Sequence, residues 1–170
     1  MQAKPKIRPE LISKRGYILN QPTSGLPWVL RVAQEHWCND CRLNRRGHDS
    51  SFIACILEGR INIDDETEHL SAGPGNIIYL AQEPRTWELR VDAAQGLRLI
   101  IVVIRDQAAN MVVGESLGRK TRLFNPGDCA NIESLFHCML TAASRGYPAA
   151  SDIVAGLLVP LLQSIRQEHD

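Results

Sequence analysis

The hydrophobic residues of the first two thirds of the chain fall in short runs, and turn residues separate these runs. Apolar residues alternate with other residues at 28–33 and again at 87–91, whereas 52–57 and 97–104 are almost wholly apolar. A period of two is typical of strands. Many short strands with no helical segment between them favour an antiparallel barrel or sandwich over a parallel α/β sheet. The sequence also predicts one buried face at 28–33 and a hairpin that joins 52–57 to 60–64 through Gly59.

After about residue 115 the apolar residues recur at the spacing of a helix. The first helix is predicted over the apolar stripe that begins at Ile132. Asp128 or Asn131 can accept hydrogen bonds from its first free amides, and Arg145-Gly146 supplies a stop. The chain therefore ends in a helical region rather than in further strands.

A second helix is predicted from about 151 to 167, and its apolar stripe is wider than a single sheet would cover. Pro160 lies inside this helix. Because a proline removes one backbone hydrogen bond, we expect a kink there rather than a break. The surplus apolar surface predicts a covering helix, which a second copy of the chain could supply.

Length and composition limit the class of protein. The 170 residues, 44% hydrophobic and 22% charged, suit one globular domain. Nineteen basic residues balance nineteen acidic ones, which argues against a generally basic nucleic-acid binder. Five cysteines, an odd number, and a polar first segment predict free thiols in the cytoplasm. The longest nearly uninterrupted apolar run, 153–162, is shorter than the roughly 20 residues that span a bilayer, so no membrane association is expected.

Candidate catalytic and metal-binding groups are sparse. Cys38 and Cys41 have the spacing of half a zinc site, but no second pair is spaced like them. They are interpreted as structural thiols, with a redox pair as the alternative. No two histidines have the short spacing that places imidazoles on one face, and no Gly-x-Ser-x-Gly motif is present. The sequence therefore predicts no catalytic residue, no metal site and no other cofactor.

Aromatic and basic residues of the β region are the better candidates for binding. Five of the nine aromatic residues lie there, at Trp28, Trp37, Phe52, Tyr79 and Trp87. In a small barrel such residues either fill the interior or line a cavity for one ligand, and the sequence leaves both open. The arginines at 42, 45 and 46 are either a solvated loop face or a source of one guanidinium for an anionic or hydroxylated ligand.

Four segments, in this order, resemble the cupin core of the AraC-type transcription regulators: 52–59, 60–64, 70–80 and 84–87. The resemblance continues through 97–104, 123–126 and both helices, and it covers roughly 15–167. It implies a mainly β fold, a cupin-like (jelly-roll) antiparallel β-barrel followed by two C-terminal α-helices. The implied organisation is an N-terminal arm over 1–15, the barrel over 16–114, and a linker with a two-helix dimerisation region over 115–170.

The resemblance also implies a function, because in that family the barrel binds a small effector, often a sugar, and the second helix pairs with its symmetry mate. Trp87 matches an aromatic residue of the family pocket, and Arg45 or Arg46 matches an arginine that contacts the effector. The expected ligand-binding residues are Arg45, Arg46, Trp28, Tyr79, Trp87 and Arg98. The expected homodimer contacts are Val154, Leu157, Leu158, Leu161, Leu162 and Ile165.

Two departures from the family refine these expectations. Where metal-binding cupins carry histidines, this chain has His48-Asp49-Ser50 and Arg85-Thr86, which favours a non-enzymatic, metal-free binding domain. The run 97–104 is aliphatic apart from Arg98, which favours a less polar effector than a sugar, or a filled barrel. The alternatives are a cupin-superfamily metalloenzyme, such as an isomerase or dioxygenase, and a purely structural dimeriser.

The family's DNA-binding part does not resemble any segment of this chain. That part comprises two helix-turn-helix motifs, and no recognition helix with a basic face is found here. DNA binding is therefore expected only through a C-terminal helix-turn-helix domain that is not in this chain. A polypeptide cut at the domain boundary and a natural stand-alone sensor both remain open.

Overall fold

The computed structural model describes residues 11–40, 42–45, 50–64, 67–80, 87–92, 94–105 and 122–167, which form two antiparallel sheets followed by two helices. The first sheet contains, in spatial order, β1 (Leu11–Ile18), β2 (Val29–Trp37), β9 (Leu97–Arg105), β4 (Ser50–Glu58), β7 (Ile77–Leu80) and β10 (Arg122–Phe124). The second contains β3 (Arg42–Arg45), β8 (Trp87–Val91), β5 (Ile61–Asp64) and β6 (His69–Ala72). The predicted mainly β fold with two C-terminal helices is confirmed.

The first sheet is buried on both faces, because the second sheet covers one face and the helices cover the other. Along β4, Ala54 and Ile56 belong to the core between the sheets, the inner core, whereas Ile53 and Cys55 belong to the core under the helices, the outer core. The expectation of one buried face at 28–33 is therefore wrong, since Val32 and Ala33 point to opposite faces and are both 0% exposed.

Gly59 is a corner between the two sheets and not the turn of a hairpin. β4 pairs with β7 and β9, whereas β5 pairs with β6 and β8, so the predicted hairpin is wrong. Gly59 has φ +88°, and a Cβ at this position would lie 2.2 Å from the carbonyl oxygen of Gly96. Only glycine permits both this backbone conformation and this close approach.

The first helix, α1 (Cys129–Ser144), begins and ends where the sequence predicts. Asp128 is its N-cap and accepts a hydrogen bond from the backbone N–H of Asn131 at 3.4 Å. Arg145 is the C-cap, and Gly146 follows with φ +62°. The apolar face of α1, which includes Phe136 and Met139, packs in the outer core.

The second helix, α2 (Ala150–Gln167), runs without a break through Pro160, as predicted. Four of the expected contacts, Val154, Leu158, Leu161 and Leu162, are at most 2% exposed and belong to the outer core of the same chain. These four residues were expected to contact a second copy. That expectation is corrected here, because a side chain with no exposed surface has none left to bury against a partner. Leu157 is half-buried, and the side chain of Ile165 lies outside the described residues.

One predicted segment boundary lies within a strand, and one strand lies within the predicted linker. β1 begins at Leu11 and so crosses the predicted limit between arm and barrel, while residues 1–10 lie outside the described part. β10 pairs with β7 and extends the first sheet from within the predicted linker. Neither of the described helices is long and apolar enough to cross a membrane.

Candidate functional site

The two ends of the barrel differ in construction. At one end, glycine corners bring backbones together: a Cβ at Gly59 would meet Gly96, and a Cβ at Gly96 would lie 2.2 Å from the carbonyl oxygen of Trp37. Val91 lies at this end, because the N–H of the next residue, Asp92, donates to the carbonyl of Arg60 at 2.9 Å. Trp87, at the other terminus of β8, therefore lies at the opposite end.

The opposite end, which we call the rim, is defined by Trp28, Arg31, Phe52, Trp87 and Arg105. Strand register relates three of them: Arg31 pairs with Val103, Val103 pairs with Phe52, and Arg105 pairs with Ser50. Trp28 contacts Arg105, and Trp87 belongs to the inner core from the side of the second sheet. Residues 46–49, 81–86 and 106–121 lie outside the described part of the chain. The rim thus combines three aromatic rings and two guanidinium groups above an inner core that is otherwise mostly aliphatic.

Trp28 is fixed at the rim by polar contacts on both sides. Its indole N–H donates to the carbonyl oxygen of Leu19 at 3.3 Å. The guanidinium carbon of Arg105 lies 4.8 Å from the centre of its ring, and the backbone N–H of Arg105 donates to the carbonyl of Trp28 at 3.1 Å. A cation over an aromatic face is an attractive arrangement, so this tryptophan ties the segment before β2 to the end of β9.

A row of polar side chains lies on the inner face of β1 and β2. Arg31 donates to Glu35 at 3.0 Å, and the indole N–H of Trp37 donates to the second carboxylate oxygen at 2.8 Å. Lys14, opposite Glu35 on β1, lies 3.8 Å from the same carboxylate. We call these four residues the polar row. A buried carboxylate is stable only when charge and hydrogen bonds compensate its lost hydration, and this row supplies both.

The structure brings only part of the predicted ligand-binding set together. Trp28 and Trp87 both lie at the rim. The backbone of Arg45 pairs with Trp87 in the second sheet. The side chain of Arg45 and all of Arg46 lie outside the described residues.

Tyr79 and Arg98 do not face the inner core, because both side chains lie on the other face of the first sheet. Tyr79 is buried in the outer core, where its hydroxyl donates to the hydroxyl of Ser51 at 3.4 Å. Arg98 is exposed and forms an ion pair with Glu58 at 3.2 Å. Because alternate residues of a strand face opposite ways, neither side chain shares the inner face with Trp87.

Sequence reasoning did not identify Arg31, Glu35 or Arg105. The alternation along β2 puts Arg31 and Glu35 on the same face as Ala33 and Trp37. Two opposite charges on one face of a strand are a usable signal. The sequence predicted only one buried face for this strand, the face that carries Val32. It therefore did not show that the opposite face, with Arg31 and Glu35, is the inner one.

The predicted absence of a metal site remains a prediction. In the part of the chain that the structure describes, no group of three or more His, Cys, Asp and Glu side chains could hold a metal ion. Cys38 is half-buried against the inner core, and Cys41 lies outside the described residues.

A second surface feature, the helix groove, lies between α1 and α2. It is an open groove of about 390 Å³ lined by His137, Cys138, Thr141, Ala142, Arg145, Tyr147, Ile153 and Leu157. Tyr147 and Ile153 are both well exposed for large apolar side chains. The groove therefore offers apolar surface on α2 that the chain itself does not cover.

No protein-family model matches the chain, and no curated protein matches it. Solved structures do share its fold. The AraC-like transcriptional activator CuxR superposes with a TM-score of 0.53 at 9% identity, over 88% of this chain and 61% of that one. YhaK from Escherichia coli gives 0.52 at 12% identity, over 66% and 51%. The cupin domain of Cnp3 from Schizosaccharomyces pombe gives 0.45 at 12% identity, over 60% and 72%.

At these identities the likeness concerns the fold alone, which in this chain is two antiparallel β-sheets followed by two helices. The chain spans about three fifths of the length of CuxR and about half of that of YhaK.

Proposed function

We propose that this chain is the effector-binding and dimerisation domain of an AraC-type transcription regulator, with no catalytic activity. The rim carries the proposal: aromatic rings and guanidinium groups meet at one end of an apolar barrel. Small-molecule sites are typically apolar, with a few polar groups that orient the ligand. The proposed role places the protein in the cytoplasm, and DNA binding belongs to a helix-turn-helix domain outside this sequence.

The extent of the structural likeness supports this proposal over a barrel that acts alone. The superposition on CuxR covers 88% of the chain, whereas that on YhaK covers 66%. A superposition over 88% of the chain must include part of the region after β9, the last long strand of the barrel. In the proposed domain, the two helices of that region supply the pairing surface.

Ligand screening tests the effector site. Sugars, organic acids and aromatic metabolites are added to the purified protein, and the midpoint of thermal unfolding is measured. A compound that binds only the folded state stabilises it by about 2.7 kcal/mol at one hundred times its dissociation constant. We expect a stabilising compound whose affinity falls in Arg105→Gln and stays unchanged in Arg98→Gln, the matched control on the other face of the sheet.

Two results would contradict the effector site. If no compound stabilises the protein, the filled-barrel dimeriser is favoured. If elemental analysis finds stoichiometric iron, manganese or zinc in the purified protein, the metalloenzyme alternative is favoured, because a resident metal ion is the usual centre of cupin chemistry. Both measurements use the wild-type chain.

We further propose that the helix groove is the surface through which two copies pair. Four of the expected contacts are buried within the chain, whereas Ile153 and Leu157 line the groove and keep apolar surface on α2. A two-fold axis along the groove would cover the Tyr147 and Ile153 side chains of both copies with one another.

Sedimentation tests the pairing surface. We expect the wild type to sediment as a dimer and Ile153→Asp as a monomer, because a carboxylate in a buried apolar contact loses its hydration. Ile18→Asp, which alters an exposed isoleucine far from the groove, should remain a dimer. A wild-type monomer, or an Ile153→Asp dimer of undiminished stability, would exclude the groove as the pairing surface.

A further inference from the structure

Arg31 and Glu35 meet over the smallest residues of the first sheet. Four residues along a strand span about 13 Å, yet the two side chains approach to 3.0 Å. Ala33 lies between them, and Gly16 pairs with Ala33 on β1. A Cβ at Gly16 would lie only 3.2 Å from that of Ala33. The two small residues leave the space in which the ion pair lies across the inner face.

The charges of the polar row do not cancel. Glu35 is 5% exposed, and both of its carboxylate oxygens are engaged, one by Arg31 and one by Trp37. Lys14 is a second cation near the same carboxylate, so two positive charges face one negative charge. The net positive charge of the row favours an added anion beside it.

Arg31 keeps hydrogen-bonding capacity beyond this ion pair. A guanidinium has five N–H donors in a planar fork. Among the described residues, Arg31 uses one terminal nitrogen on Glu35, and its side chain is 26% exposed. A planar fork with free donors matches the two oxygens of a carboxylate better than it matches a single hydroxyl group.

An apolar surface adjoins Arg31 on the same face. Ile18 pairs with Arg31 in the β1–β2 register, so their side chains lie about 5 Å apart. Ile18 is 87% exposed, the highest value among the large hydrophobic residues that the structure describes. On the other side of Arg31, Val103 and the half-buried Phe52 continue the apolar surface along the same row of the sheet.

We infer that Arg31 binds the carboxylate of the effector, and that the effector is a small carboxylic acid with an apolar alkyl or aryl body. This inference rests on the proposed effector-binding function. The carboxylate accepts N–H groups of Arg31 and neutralises the excess charge of the polar row, while the apolar body covers Ile18 and reaches toward Phe52. A sugar fits this surface less well, because its many hydroxyl groups would face aliphatic side chains without hydrogen-bond partners.

Calorimetric titration with matched probes tests the inference. Octanoate and 4-phenylbutyrate carry the required carboxylate, and octanamide and 4-phenylbutyramide are neutral molecules of the same shape. With the wild type, we expect at least one acid to bind about tenfold or more tightly than its amide, as a charge-assisted hydrogen bond would give. The preference should weaken as salt is added.

Variants assign that preference to a residue. Arg31→Gln should abolish the preference for the acid, so that acid and amide bind with similar affinity. Arg98→Gln removes an exposed arginine of the other face and should leave both affinities as they are. The wild-type comparison of acid and amide needs no variant, so the test stands even if Arg31→Gln folds poorly.

The outcomes separate this inference from the proposal on which it rests. Equal binding of acid and amide, or an acid preference that survives in Arg31→Gln, would overturn the inference and leave an effector site in place. Binding of none of the four probes would also overturn it. In that last case, the broader screen of sugars and aromatic metabolites decides separately whether the barrel binds any effector.

Discussion

Glu35 is the buried charged residue of the polar row. It is a carboxylate on the inner face of β2, and its partners come from three positions, Lys14, Arg31 and Trp37. Loss of one member of a buried ion pair leaves the other without compensation, which costs more than the pair contributes when intact. The polar row is therefore predicted to matter for folding as well as for any ligand.

Glu35→Ala should lower the free energy of unfolding by about 3 kcal/mol, the lower end of the range for breaking a buried pair, because Arg31 keeps some access to water. Glu35→Gln should cost less, since its amide oxygen can still accept the indole N–H of Trp37. Urea denaturation measures both. Glu58→Ala breaks the exposed pair with Arg98 and should cost less than about 1 kcal/mol. Equal losses in Glu35→Ala and Glu58→Ala would show that the polar row is not buried in solution.

The glycine corner gives a prediction that separates backbone strain from steric conflict. Gly25→Ala places a Cβ at φ +72° with no atom within 4 Å, so we expect a loss of about 1 kcal/mol. Gly59→Ala has a similar φ but puts its Cβ 2.2 Å from the Gly96 carbonyl, and we expect a loss of about 4 kcal/mol or more. The comparison is made by chemical denaturation. Similar losses in the free energy of unfolding would show that Gly59 does not approach the Gly96 carbonyl in solution.

The segment between β1 and β2 joins two elements that are distant in the sequence. Its Thr23 hydroxyl and Ser24 N–H donate to the two carboxylate oxygens of Asp152, at 3.0 and 2.9 Å, in the first turn of α2. Its other end is fixed by Trp28 at the rim. One short segment therefore connects the candidate effector site with the helix that lines the groove.

Acid titration tests this connection. Hydrogen bonds from Ser24, and to a lesser extent from Thr23, hold the pKa of Asp152 below its ordinary value of 3.8. Because the folded-state pKa is lower than the unfolded one, the stabilisation is complete above about pH 4 and is lost as the pH falls through the folded-state pKa. Asp152→Asn should be less stable than the wild type at about pH 7, and the difference should shrink below about pH 4.

Hydrogen exchange provides the control for that titration. The amide of Ser24 should exchange faster in Asp152→Asn, because its acceptor is weakened, whereas the amide of Ile132, bonded to the Asp128 carbonyl on α1, should not change. A stability difference that stays constant from about pH 7 to about pH 2 would show that the Asp152 carboxylate is not held by the segment.

At the level of elements, the helices and the strongly apolar strands were predictable, whereas β3 and β10 were not. The helices were placed by strong periodicity and by caps such as Asp128 and Gly146, which act locally. β3 and β10 have only 4 and 3 residues, too few to show a hydrophobic period. They are strands because neighbouring strands supply hydrogen-bond partners, and such partners are distant in the sequence.

In the whole molecule, the first sheet separates two cores, and the reactivity of Cys55 shows whether the outer core is closed. This thiol lies in the outer core between β4 and the helices. Burial, followed by the charges of Glu133 and Cys129, raises its pKa to about 12. Since the thiolate is the reactive form, Cys55 is inert unless the helices leave the sheet.

Alkylation by iodoacetamide, followed peptide by peptide in a mass spectrometer, measures that protection. At about pH 8, roughly one Cys55 thiol in ten thousand is ionised, given this pKa, and the thiol is buried as well. We expect Cys138, which is exposed in the single chain, to react at least about a hundredfold faster than Cys55 in Ile153→Asp, the variant in which the groove is left uncovered. In denaturant the two rates should become similar. Comparable rates in the folded variant would mean that the outer core opens readily.

The candidate site was predicted in part, for a reason that belongs to the whole fold. Trp28 and Trp87 lie at the rim as part of the predicted ligand-binding set, whereas Tyr79 and Arg98 face the outer side of the sheet. Strand alternation tells which residues share a face within one strand. It does not relate the faces of separate strands, and a sheet buried on both faces lacks the polar side that would mark its orientation.

Local periodicity and capping in the sequence are enough to predict the mainly β fold, the two C-terminal helices, and the strands at 87–91 and 97–104. The tertiary structure alone decided that Gly59 separates two sheets, that the apolar stripe of α2 packs inside its own chain, and that Arg31 and Glu35 face the barrel interior. Each of these depends on which distant surface covers a given face. That choice is made by the packing of the whole molecule, and neighbouring residues do not encode it.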